Sequence, residues 1–181
     1  MRKHLIALAA AISVMTSFAW GESPLSSAPA PALASASGGE TLAGKWTHRS
    51  FHNNPAPISD DPKTAADKAL ALIFAEAVFT FEIPTSATLK GAIDWPGGGL
   101  DLQGTLRTDT AGGAPIVEIV GTGRPGTDTA GWEYDYRGQL AYQWPNGVNQ
   151  VPALVGTVVR AKPHNGAPAG YVASFIAVKR S

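Results

Sequence analysis

Gly44-Lys45-Trp46-Thr47-His48-Arg49-Ser50-Phe51 is the stretch on which the fold turns. Successive side chains of a strand face opposite ways. Trp46, His48 and Ser50 therefore share one face, and Lys45, Thr47 and Arg49 share the other. A large aromatic near the start of a strand, followed on its own face by two small polar groups, reads as a core plug with a polar row above it. Upstream of this run nothing reads as folded protein, and downstream seven further strand-like runs follow.

On the upstream side, Arg2 and Lys3 precede an apolar run from Leu5 to Met15, and Ser17-Phe18-Ala19 supplies small residues at the two positions a signal peptidase reads. The apolar run is too short for a comfortable permanent span. Residues 1–19 are thus expected to be a signal peptide, and the mature chain to be periplasmic or secreted with no membrane anchor. Residues 20–40 are mostly Ser, Ala and Pro with almost no charge. Such a segment cannot bury enough surface to offset the cost of ordering it and is expected to be a flexible tether. The folded domain is expected over residues 41–181.

On the downstream side the strands are expected at Val78–Ile83, with Pro84 ending it, then Ala87–Trp95, Leu100–Arg107, Ile116–Gly121, Trp132–Trp144, Leu154–Ala161 and Gly170–Arg180. Between the first strand and Val78, Pro62 fits the first turn of a short helix capped by Asp60 or Asp61; the alternative is that Leu70 to Phe74 already belongs to a strand. Gly-Thr-x-Arg recurs at Gly104 and Gly121, each time followed by Thr-Asp-Thr-Ala-Gly, which reads as reused turn chemistry rather than a duplicated unit. Short Gly/Pro turns and no crossover helix beyond Ala87 point to an antiparallel meander. Eight twisted strands are enough to close, and closing removes the exposed edges. The expected fold is therefore all-β: an eight-stranded antiparallel up-and-down barrel, with a β-sandwich as the alternative.

Composition agrees with this and excludes several functions. Of 181 residues, 20 are Gly and 14 Pro, and only 15% are charged, which suits turns and sheets more than helices. Without Arg2 and Lys3 the 14 basic residues fall to 12 against 14 acidic. Nothing draws such a chain to nucleic acid or anionic lipid. With no Cys, disulfides, thiol chemistry and Cys-ligated metals are excluded.

Gly44-Lys45-Trp46 opening an eight-strand meander resembles the calycin group of lipocalins, fatty-acid-binding proteins and avidins. The resemblance implies that Trp46 packs across the closed end of the barrel against a cation from near the last strand, a place that Lys179 or Arg180 fills. It covers one tripeptide, the strand count and that terminal charge. The further lipocalin motifs and the avidin biotin-site pattern are not found, so it speaks for the fold and not for a ligand.

Candidate ligand-contacting residues follow from strand parity. His48 and Ser50 rise above the Trp46 floor, and Trp132, Tyr134 and Tyr136 form the richest aromatic row of the chain. Glu118 shares a face with Ile116 and Val120, and parity leaves open whether it points in as an acid of raised pKa or out into solvent. The histidines make no metal motif: His48 and His52 are four apart in a strand rather than a helix; a single His could ligate haem, but no second anchoring signal accompanies one here. No cofactor is expected. The leading expectation is a barrel that binds a small, partly apolar ligand inside. The second is an interaction module reaching a protein partner through the 52–68 loop. The third, a small-molecule isomerase or cyclase, would draw its acid and base from Tyr134 or Tyr136, Glu118 and His48.

Overall fold

A computed structural model describes residues 42–53, 60–107, 114–144 and 146–181. The signal peptide and tether expected at 1–19 and 20–40 lie outside them. Eight antiparallel strands follow one another around a closed barrel in chain order: β1 (Gly44–His52), β2 (Ile73–Thr85), β3 (Thr88–Trp95), β4 (Gly98–Arg107), β5 (Ile116–Gly123), β6 (Glu133–Leu140), β7 (Ala153–Arg160) and β8 (Val172–Lys179). β1 pairs with β8 from Trp46↔Lys179 to His52↔Ala173, and this seam closes the sheet. Among the described residues there is one helix of regular length, α1 (Pro62–Ala71). It is capped by Asp61, whose side chain accepts from the Thr64 N–H at 2.8 Å. Of the two readings for the segment before Val78, the helix holds as far as Ala71 and the strand takes over at Ile73.

Two strands depart furthest from their expected bounds, for local reasons. β2 runs through Pro84 because its register with β3 shifts between Glu82 and Thr85, so the N–H that proline lacks is not needed there. β6 begins after Trp132, whose N–H is turned back onto the Thr129 carbonyl, and ends at Leu140. Beyond it the Gln150 side chain holds the Trp144 backbone, accepting from its N–H and donating to its carbonyl at 2.7 Å each. A side-chain amide thus replaces a neighbouring strand, and Tyr142 and Trp144 are left 66% and 71% exposed.

The interior is filled at one end. Trp46 is fully buried there, and its indole N–H donates to the Leu42 carbonyl at 2.9 Å. The Lys179 ammonium lies 5.8 Å from the centroid of the Trp46 ring, so of the two terminal cations Lys179 makes this contact. Arg180 instead donates from Nε to the Thr47 hydroxyl on the outer face. Gly44 has φ +107°, a conformation side chains disfavour, which lets the chain enter β1 beneath Lys179. Around Trp46, buried Phe79, Phe81, Leu89, Leu102, Leu154 and Phe175 pack this part of the barrel.

The turn between β5 and β6 is anchored by Thr129, which is buried and donates its hydroxyl to the Gly99 carbonyl at 2.8 Å. Its own carbonyl lies so close to Gly123 that a Cβ there would fall 1.6 Å away. Thr129→Val should leave the Gly99 acceptor unpaired and lower stability by about 1–3 kcal/mol. Urea unfolding checks this; an unchanged midpoint would mean that the hydroxyl contributes nothing.

Candidate functional site

The alternation that places Trp46 inward places His48 and Ser50 inward as well, and both are buried. They line a cavity of about 390 Å³ in the other half of the barrel, together with Tyr134, Tyr136, Arg160 and His164. Its rim is aromatic. Trp132 stacks on His164 with centroids 3.9 Å apart and planes 13° from parallel, and on its other neighbour, Trp95, at 6.3 Å and 19°. Over β8, β1 and β2 a second cluster joins Tyr171, His52 and Phe74, with the Tyr171 hydroxyl hydrogen-bonded to His52 Nδ1.

The rim is fixed from outside by Arg124, which was not anticipated from sequence. Its Nε and Nη1 each donate at 2.8 Å, to Asp101 and Asp94 respectively. The guanidinium ties the end of β5 to β4 and to the residue next to Trp95. These hydrogen bonds, the Asp101 one first, raise its already high pKa.

Inside, polar groups meet apolar walls. The His48 ring lies 4.7 Å from that of Phe79, 5.5 Å from Phe175 and 6.3 Å from Tyr136. Among the described residues neither of its nitrogens finds a hydrogen-bond partner, and neither does the Ser50 hydroxyl. Burial pushes the His48 pKa down to about 4, so the ring is neutral near pH 7. Burial, with the neighbouring Tyr134, pushes the Tyr136 phenol up. Tyr134 shares a hydrogen bond of 2.9 Å with His164 Nε2. His164 is held below its ordinary pKa by burial first and by the Arg160 charge second.

Arg160, the last residue of β7, points inward beside Tyr134, its cross-strand partner, and is only 9% exposed. It donates from Nη1 to the Pro168 carbonyl at 3.1 Å and lies 5.5 Å from the centre of the Tyr171 ring, while its Nε has no partner among the described residues. Period-two parity from Leu154 and Val158 contains the signal for this residue, since Arg160 continues their buried face.

Five of the six expected site residues, His48, Ser50, Trp132, Tyr134 and Tyr136, therefore come together around one cavity. Glu118 does not. Its carboxylate stands on the outer face, 3.7 Å from both Arg107 and Arg137 on the flanking strands, while Val117 and Ile119 take the inner positions. The acid–base group of Glu118, His48 and a tyrosine is accordingly not assembled. No cluster of three or more His, Asp or Glu able to hold a metal occurs among the described residues.

No protein-family model, curated protein or solved structure matches this chain. What the site does rests on its own chemistry.

Proposed function

We propose that this is an exported barrel protein that takes up a small, partly apolar ligand in the open half of its interior. The observation that carries the reading is where the unsatisfied groups lie. Among the described residues five buried side-chain polar atoms lack a hydrogen-bond partner: both nitrogens of His48, Ser50 Oγ, Arg160 Nε and His164 Nδ1. All four residues line the same cavity. Orphaned buried polar groups are costly, and their concentration on an otherwise aromatic and aliphatic wall is the pattern of a binding site. The volume lies toward the lower end of the range of about 300–1,000 Å³ usual for ligand pockets. Export is supported by the charged and apolar order of residues 2–19.

Uptake is tested by screening small compounds against the emission of Trp95 and Trp132, with native mass spectrometry to establish stoichiometry. A one-to-one complex is expected. Ala77→Phe, which places a ring in the cavity from β2, should abolish binding while the barrel still unfolds cooperatively. A barrel that excludes every compound, or one that binds equally well with Phe at this position, would sink the reading. Export is tested by N-terminal sequencing of protein recovered outside the cytoplasm, which should begin just after Ala19.

A second reading, an interaction module, is favoured by the exposed side chains of Tyr142, Trp144, Val148 and Val151 between β6 and β7. The expected 52–68 contact loop lies partly outside the described residues; its described helix, α1, buries none of its side chains. If the chain works this way, Tyr142→Ser with Trp144→Ser should abolish a stable complex with another protein and leave ligand uptake untouched.

A further inference from the structure

We infer that the ligand carries one negative charge, a carboxylate, and that Arg160 is its counter-ion at the mouth of the cavity. This rests on reading the cavity as a ligand site. A nearly buried guanidinium is costly unless a charge or a full set of acceptors meets it. Here one backbone carbonyl meets one nitrogen and the Tyr171 ring lies 5.5 Å away, while Nε, on the edge through which arginine takes a carboxylate side-on, has no acceptor among the described residues.

No acid among the described residues fills that role. Among the described residues that line the cavity the one carboxylate is that of Glu76, which is turned outward and paired with Arg49 at 2.7 Å. Glu133, adjacent to Tyr134 in the chain, is held by Lys162 at 2.6 Å. The mouth thus has a fixed positive charge without an anion among the described residues. One cation suits a monoanion, whereas a phosphate dianion would call for more positive charge than the cavity walls provide. His164 adds a donor when the Tyr134 hydroxyl donates its hydrogen bond to Nε2, since the neutral ring then carries its hydrogen on Nδ1. Deeper in, His48 and Ser50 offer neutral groups among Phe79, Ile93 and Val158, so the body of the ligand is mostly apolar with one or two hydrogen-bonding atoms.

A matched pair of probes tests this: naphthalene-2-carboxylate and naphthalene-2-carboxamide, alike in shape and different in charge. Titrated against the full chain at about neutral pH and low salt, the carboxylate should bind at least tenfold more tightly. Arg160→Gln should bring the two to within about twofold of each other, chiefly by weakening the carboxylate. Arg160→Lys should keep part of the preference. Near-equal affinity of the pair for the unaltered chain would overturn the charge assignment and leave ligand uptake standing. A preference that survives Arg160→Gln would overturn the role of Arg160. If neither probe binds and the wider compound screen is also blank, both this inference and the uptake it rests on fall.

Discussion

Trp46→Ala should lower the stability of the barrel by about 3–5 kcal/mol, as truncating a large buried aromatic does. The ring is fully buried, its N–H is bonded to the Leu42 carbonyl, and it rests against Phe81 and the Lys179 ammonium. Its loss would leave a cavity at the closed end of the barrel and an orphaned carbonyl, and would take the ring away from the Lys179 ammonium. Against a usual total of about 5–15 kcal/mol this threatens folding itself. Removing Lys179 to Ser181 should be milder, because the cation–π contact contributes on the order of 0.5–2 kcal/mol. Equilibrium urea unfolding checks both. A Trp46→Ala barrel as stable as the unaltered one would mean that this end is not sealed by the indole.

Acid should unfold the protein through His48. In the unfolded chain this imidazole titrates near 6.5, whereas burial among Phe79, Phe175 and Tyr136 pushes its folded pKa down to about 4. Between these values the unfolded chain binds the proton and the folded one does not, so stability rises with pH. The contribution is complete above about pH 6.5 and lost progressively as the pH falls to about 4. Two and a half pKa steps correspond to roughly 3 kcal/mol. His164, also held down by burial, acts in the same direction from the mouth. The share due to His48 is read from His48→Leu, an apolar side chain of similar size, by comparing unfolding midpoints from pH 7 to 4. The variant should lose most of the acid slope. An identical slope would assign acid sensitivity to other groups.

The inner faces of several strands were legible in the chain because alternation of two is a local property. In β1 the polar Lys45, Thr47 and Arg49 can only be outside, so Trp46, His48 and Ser50 must be inside, and they are. β6 obeys the same logic, with Glu133, Asp135 and Arg137 outward and Tyr134 and Tyr136 inward. In β5 this logic has nothing to act on. Ile116 and Val120 sit on one face and Val117 and Ile119 on the other, so apolar content does not choose a side for Glu118. Its direction is set by the neighbours: Arg107 on β4 and Arg137 on β6 stand on the outer face and hold the carboxylate between them.

The sequence by itself thus determined eight strands, their order around a meander, and which residues of β1 and β6 face the core, because turn chemistry and period-two alternation are written residue by residue. Tertiary structure alone decided that the sheet closes, since the β1–β8 seam joins segments more than a hundred residues apart. That closure selects Lys179 for Trp46 and stacks Trp132 on His164. It also turns Arg160 inward with no carboxylate of the described residues beside it, because which charges meet depends on strands that are neighbours only once the barrel has formed.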